Sequence, residues 1–338
     1  MSVTLTLAEA EVLAMAALAA HGVPEDLARP TAEALLTAER EGLASHGLTR
    51  LGFYMAQIDS GKVAADARPE VVRNGAVVRV DARAHLAFPA IAAGCDAGAA
   101  AARELGVAAV SITNSHHFGV AGHPVERLAR DGLVALAFSN APAAMAPWGG
   151  AVPLYGTNPI AFAAPRPEGA PLVIDLSLSH VARGKVMLAQ KRGEPIPEGW
   201  ALDRDGRPTT DADAAMAGSM LPSGGAKGAA LALMVELLTA GLAGAHFAFE
   251  ASSLFSPEGP PPRLAHLILV LDPARFAGDF TARAEAVFAA IAAQEGARLP
   301  GARRAATRSA AATHITLPAA LVDELRALAT PTREQRRG

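Results

Sequence analysis

Apolar residues recur at helical spacing over 8–20 and again over 24–41. Thr6 followed by Glu9 has the spacing at which a hydroxyl and a carboxylate cap a helix start reciprocally. The pattern predicts two helices there and a helical texture for the first 70 residues or so. From Val77 short β-branched runs take over, at 77–80, 107–113, 133–139, 160–164, 172–176 and 267–271, predicting a sheet between about 75 and 275. Helical spacing returns at 89–105, 124–131 and 227–242, so the middle of the chain is mixed α/β. The stretch 184–221 is rich in proline, glycine and aspartate and has little periodicity. It is longer than most ordered connections and is expected to form a lid or binding loop. The polar, basic end 330–338 is expected to fray.

Composition narrows the function classes. The 338 residues are 51% hydrophobic and 19% charged, enough for one large core or two ordinary ones. A net charge of -3 with both signs spread along the chain gives no basic face, so neither nucleic acid nor an anionic membrane is expected as a partner. The single cysteine, Cys95, has no partner for an internal disulfide and fits a reducing cytoplasm. The apolar run 12–20 follows Glu9 and Glu11 with no preceding Lys or Arg, which is unlike a secretion signal, and Glu236 interrupts the alanine-rich run from Ala229.

Candidate chemistry begins at Ser45-His46-Gly47-Leu48-Thr49-Arg50. An imidazole beside a hydroxyl can move protons at neutral pH, and a guanidinium binds a carboxylate through two parallel hydrogen bonds. The plain alternative is a turn closed by Gly47. His116, His117 and His123 invite a zinc reading, but adjacent histidines do not readily face one ion and no Cys, Asp or Glu completes a usual ligand spacing, so no metal is expected. A strand running into the glycine-bearing 119–122 segment suits backbone donors turned toward a phosphate.

Further phosphate donors are Lys227 in Ser223-Gly224-Gly225-Ala226-Lys227-Gly228, Arg183 with Gly184, and Arg303-Arg304 after Pro300-Gly301. Gly156-Thr157-Asn158-Pro159 reads equally as a pocket lining or a tight turn. The chain has no G-x-G-x-x-G and no G-x-x-x-x-G-K-[ST], so neither the usual dinucleotide fold nor a P-loop is supported.

Taken in order, Ser45-His46-Gly47 with Arg50, Asn114-Ser115-His116-His117-Phe118-Gly119, Gly156-Thr157-Asn158-Pro159, the 175–184 stretch, Gly224-Gly225-Ala226-Lys227-Gly228 and Leu299-Pro300-Gly301 resemble the malate/L-lactate dehydrogenase family of non-Rossmann NAD(P)-dependent oxidoreductases. The resemblance covers roughly residues 5 to 305. It implies a homodimer, a helical domain built from both chain ends (1–72 with 301–338) and a mixed α/β cofactor-binding sheet domain (73–300).

The same resemblance implies Ser45 and His46 as a proton-relay pair, and Arg50, Thr157 and His117 as substrate contacts. It implies cofactor contacts at His116, His117, Phe118, Gly119, Val120, Asp175, Leu176, Ser177, Arg183, Gly184, Lys227, Arg298, Leu299, Pro300, Gly301, Arg303 and Arg304. The imine-reducing relatives have an acidic third relay member, and Lys185 to Gln190 offers no carboxylate for it.

An electrophilic C2 beside a carboxylate is common to 2-oxo acids and cyclic 2-imino acids, so Arg50 would fix the carboxylate while NADPH, or NADH, supplies the hydride. The Phe247–Phe255 stretch and Ala226 and Ala229 around Lys227 resemble the imine reductases, and an apolar pocket suits a ring of methylenes. The expected reaction is therefore reduction of Δ1-pyrroline-2-carboxylate or Δ1-piperideine-2-carboxylate. A 2-hydroxy acid dehydrogenase is the alternative. Arg303 and Arg304 favour the extra phosphate of NADPH. A zinc hydrolase or a binding dimer without turnover is the competing class.

Overall fold

The structure is a computed structural model and describes residues 1–330, so the frayed end expected at 330–338 lies almost wholly outside the described residues. The chain starts with strand β1 (Ser2–Thr6), followed by α1 (Leu7–Ala20), α2 (Glu25–Arg40) and α3 (Arg50–Asp59). The Thr6–Glu9 capping box is present as the spacing predicts. The mixed section runs β2 (Glu70–Asn74), β3 (Val77–Asp81), α4 (Ala87–Leu105), β4 (Val107–Ser115), α5 (Gly122–Arg130), β5 (Val134–Ser139), β6 (Ile160–Ala164) and β7 (Leu172–Leu176).

Then come α6 (Arg183–Arg192), β8 (Ala201–Leu202), β9 (Pro208–Thr209), α7 (Ala212–Ala217), β10 (Ser219–Met220) and α8 (Ala226–Glu236). The chain closes with β11 (Leu264–Leu271), α9 (Phe280–Ala292), α10 (Ala302–Ala310), β12 (His314–Pro318) and α11 (Ala319–Leu328).

The stretch 184–221, expected to lack regular structure, holds α6, α7 and a three-stranded sheet in the order β10-β8-β9. Its strands are two residues long, too short to give an alternating pattern. β1 was equally hidden, because Ser2–Thr6 is stabilised by antiparallel pairing with β12, three hundred residues away in the chain. The helix expected over 227–242 ends its α-helical part at Glu236 and continues as a π-helical turn, Leu237–Gly241.

The central sheet has seven strands in the order β2-β3-β4-β11-β5-β6-β7. Only β3 with β4 is parallel; every other neighbouring pair is antiparallel, which sets it apart from a doubly wound parallel sheet. Alternating residues face opposite sides. Val110, Ile112, Ile268 and Val270 pack under α4 and α5, while Phe138 and Leu267 pack with Met145, Val186 and Val235 on the other face. Gly94 and Gly98 let α4 lie close on β4, since a Cβ at either would run into Val110 at 2.8 and 2.5 Å.

A separate helical core gathers Leu18, Leu35, Leu51, Met55 and Ile58 with Ile315, Leu317 and Leu325 from the far end of the chain. The two chain ends therefore share one core, which also takes in Leu86 and Phe88 at the start of α4. Among the described residues no helix is long and apolar enough to cross a membrane.

Candidate active site

Helix α3 carries the site. Arg50, Tyr54 and Gln57 recur at i, i+4 and i+7 and are all buried, so one face of the helix presents polar groups toward the sheet section while Leu51, Met55 and Ile58 hold the helical core. Just before it, Ala44–His46 forms a single 3-10 turn, and the Glu39 carboxylate accepts the Leu48 N–H at 2.8 Å to fix the entry into α3.

Within that turn Ser45 Oγ lies 3.0 Å from His46 Nδ1. Arg50 donates from Nε to the Ser45 carbonyl at 2.7 Å, while its Nη1 is buried with no protein partner. A buried guanidinium nitrogen without an acceptor is costly, and an anionic group brought to it would satisfy it.

The histidine segment after β4 faces this helix. His117 Nδ1 is 2.8 Å from the Tyr54 hydroxyl, and its ring centroid is 5.4 Å from that of His46. His116 donates from Nε2 to Gln57 Oε1 at 3.0 Å, because the Gln57 amide nitrogen is already committed as a donor to the carbonyls of Phe53 and Leu254. His116 Nδ1 is then a buried acceptor with no partner.

Phe118 lies against His266 at 4.5 Å. His266 bridges Ser139 and Ser115 with both ring nitrogens at 2.8 Å, which ties β11 to the end of β4 just before the histidines. His123 turns away to Glu41 at 3.0 Å. His116, His117 and His123 thus point to three different partners, and among the described residues no group of His, Cys, Asp or Glu could share a metal ion.

Burial sets the protonation of these groups. It lowers the His46 pKa to about 4, with the Arg50 charge adding to the effect and Asp175 opposing it. Burial brings His116 and His266 to about 3, holds His117 well below its ordinary value, and raises the Tyr54 hydroxyl. All four imidazoles are neutral at pH 7, and His46 is ready to accept a proton.

An ionic network flanks Ser45 and His46. Glu41 accepts from Arg308 at 2.8 Å and lies 3.7 Å from Arg304 Nε. Arg304 donates to Asp175 at 2.9 Å, and Asp175 also accepts the Gly122 N–H at 3.0 Å. Asp175 and Arg304, expected to contact a cofactor, are engaged with each other. Arg303 and Arg298 are exposed and form no ion pair among the described residues.

Leu299, Pro300, Gly301 and Arg304 line a cavity of 130 Å³ against Val173. Phe118, Val120 and His123 line a hollow of 530 Å³ beside α2, α4 and α5.

The remaining expected residues cluster along the end of β7 and the starts of two helices. The Thr157 carbonyl accepts the Leu178 N–H at 2.9 Å and the Ser177 hydroxyl at 3.4 Å, just past exposed Leu176. Asn158 is buried at φ +38°, in the left-handed region, held by donating to Glu236 at 2.9 Å and to the Ala232 carbonyl at 3.0 Å. The Ser223 N–H bonds to the Leu178 carbonyl at 2.8 Å, which brings the turn leading to exposed Lys227 alongside Ser177. Arg183 donates to the Ala143 carbonyl at 3.2 Å. Gly184, in the first turn of α6, faces Ser45, where an added Cβ would sit 3.7 Å from the serine Cβ.

Sequence reading missed Tyr54, Gln57, Glu41, Arg308 and His266. For Tyr54 and Gln57 a signal existed, namely their position on the Arg50 face of an otherwise apolar helix. Glu41, Arg308 and His266 owe their roles to pairing across the fold.

The model of the malate/L-lactate dehydrogenase family matches residues 5–326, and the chain belongs to that family and is an oxidoreductase. It is 66% identical over 329 residues to the (2R)-3-sulfolactate dehydrogenase (NADP(+)) of Chromohalobacter salexigens, covering 97% of this chain and 99% of that one. It is 42% identical over 332 residues to the Δ1-pyrroline-2-carboxylate reductase of Ancylobacter novellus, covering 96% and 97%. The solved Δ1-piperideine-2-carboxylate reductase of Pseudomonas syringae superposes with a TM-score of 0.90 at 39% identity, covering 96% of this chain and 99% of that one.

Proposed function

We propose that the protein interconverts a 2-hydroxy acid and its 2-oxo acid with NADP(H), the substrate carrying a second anionic group at C3, as in 3-sulfolactate. The observation that carries this reading is the 66% identity, over nearly the whole chain, to a 3-sulfolactate dehydrogenase. It displaces cyclic-imine reduction from first place. The site supports the same choice. The first turn of α6, where Gly184 faces Ser45, carries Arg183 and Lys185. Two cations suit a substrate with two negative groups.

In this reading Arg50 binds the substrate carboxylate through its unpartnered Nη1. His46, oriented by Ser45, takes the hydroxyl proton in oxidation and returns it in reduction, and its lowered pKa favours the accepting form. Bound NADPH supplies the hydride that reaches C2. The residues fit such a cofactor. His116 Nδ1 is a buried acceptor suited to a carboxamide N–H, and Lys227 and Arg303 are exposed cations near helix starts. The segments 116–120, 175–177, 183–184 and 298–304 are its proposed contacts.

Cyclic-imine reduction is the second reading. Its support is the 42% identity to a pyrroline-2-carboxylate reductase and the apolar Phe255 ring, 4.7 Å from the Arg50 guanidinium. We also infer a homodimer. Leu231, Met234 and Leu237 follow one another along α8 and the turn after it, and all three are exposed. Light scattering on purified protein checks the mass.

The deciding experiment follows NADPH absorbance with 3-sulfopyruvate, oxaloacetate, pyruvate and the two cyclic imines in parallel. Turnover of 3-sulfopyruvate at a kcat/KM well above the others supports the reading. Turnover of the imines alone moves the chain to the reductases, and no NADPH oxidation with any of them overturns both substrate readings.

A further inference from the structure

Lys62 lies just after α3, outside every motif, and is buried with 2% of its surface exposed. Its ammonium finds no carboxylate. Instead it donates to three backbone carbonyls of one loop, those of Ser253 at 2.6 Å, Ser256 at 3.0 Å and Glu258 at 2.9 Å. An ammonium has three N–H donors, so all are used. Two neighbours grip the same loop, Gln57 through the Leu254 carbonyl at 3.1 Å and Ser60 through the Pro257 carbonyl at 2.9 Å. Inside the loop, Ser253 and Ser256 hydroxyls accept the Phe255 and Glu258 N–H groups at 3.1 Å each, so the carbonyls that meet Lys62 are held convergent.

The product of this grip is the placement of Phe255. Its ring stands edge-on to Phe53 at 5.5 Å and 4.7 Å from the Arg50 guanidinium carbon. A cation over an aromatic face gains attraction and loses water on that side, which orients the remaining N–H groups. We propose that Lys62 is a positioning residue for substrate binding: it fixes the 251–260 loop so that Phe255 covers Arg50 and leaves Nη1 as the open donor. The proposal rests on the reading of Arg50 as the carboxylate anchor. Lys62 itself touches no reacting atom, and acts only through the loop and Phe255.

The test compares Lys62→Met, Lys62→Arg, Phe255→Ala, the Lys62→Met/Phe255→Ala double variant and Arg50→Met. It reads kcat and KM for whichever acid or imine the protein turns over, NADPH affinity by fluorescence, and amide hydrogen exchange over 251–260. Lys62→Met is expected to raise exchange in the loop and raise KM tenfold or more, with NADPH affinity within twofold and kcat within threefold. Phe255→Ala is expected to give the KM rise alone, the double variant no more than either single one, and Lys62→Arg a partial return.

Unchanged KM in Lys62→Met and Phe255→Ala, or fully additive effects, overturns the proposal. If Lys62→Met does not fold, Lys62→Arg and Phe255→Ala carry the same comparison, since Phe255 sits partly exposed on a loop. Should Arg50→Met leave KM unchanged while Lys62→Met raises it, the carboxylate anchor falls, and with it the route through Nη1, while the hold of Lys62 on the loop stands. The reverse pattern removes the clamp and keeps the anchor.

Discussion

Gln57 accepts a hydrogen bond from His116 Nε2 at 3.0 Å, and that one contact fixes the tautomer of the histidine. Since Gln57 Nε2 donates to Phe53 and Leu254 carbonyls, the amide cannot flip without losing both. Replacement by Met keeps the side-chain length but leaves the His116 donor and the Leu254 carbonyl unpaired in the interior. The expected loss is about 1–3 kcal/mol of stability, with a weaker NADPH complex, read by urea unfolding and by fluorescence titration. A variant as stable as the parent with intact affinity would count against the tautomer lock.

Arg50→Met removes the buried cation and its unpartnered Nη1. A charge-assisted bond of roughly 1.5–3 kcal/mol corresponds to a KM increase of about 10- to 150-fold, with NADPH affinity retained. His46→Ala removes the proposed proton carrier instead, so kcat is expected to collapse while the same titration with NADPH stays close to the parent curve.

The buried histidines make stability fall on the acid side. For His46, near 4, and for His116 and His266, near 3, the unfolded chain takes up the proton at a higher pH than the folded one. Their stabilisation is complete above about 6.5, the ordinary value, and is lost as pH falls toward the folded values. Each one adds a slope of about 1.4 kcal/mol per pH unit across that window. Unfolding free energies measured from pH 7 to pH 4.5 should decline accordingly, and a flat profile would contradict the burial argument.

Glu41 is enclosed by Arg304, Arg308 and His123, with 1% of its side chain exposed. Glu41→Gln takes one of two acids from each guanidinium, since Arg304 keeps Asp175 and Arg308 keeps Glu126, and should destabilise the protein by about 1–3 kcal/mol. Chemical denaturation measures it, and because Glu41 lies four residues before Ser45, kcat should drop as well.

Lys185→Glu reverses the charge at an exposed position in the first turn of α6, next to Gly184, which faces Ser45. Its expected effect is a fall in kcat/KM for 3-sulfopyruvate of tenfold or more and a smaller fall for pyruvate, compared in one assay series. Equal losses for both substrates would remove Lys185 from the recognition of a second anionic group.

Much of the site was written locally. Ser45, His46 and Arg50 fall within one turn and the start of one helix, and the strands under α4 and α5 announce themselves by β-branched runs, because both depend on neighbours a few residues away. What the tertiary structure decided is which polar groups are already satisfied. Arg304 reads as a free cation in sequence, yet Asp175 and Glu41 occupy it. Lys62 carries no signal at all, because its partners are carbonyls nearly two hundred residues away, which have no side-chain identity to read. The strand β1 and the short sheet of β8, β9 and β10 were hidden for the same reason: pairing between distant segments, rather than local propensity, stabilises them. The sequence determined the family and put forward Ser45, His46 and Arg50 as candidates, whereas burial decided the protonation of the histidines, and long-range hydrogen bonds decided the His116 tautomer and the wall that Phe255 builds against Arg50.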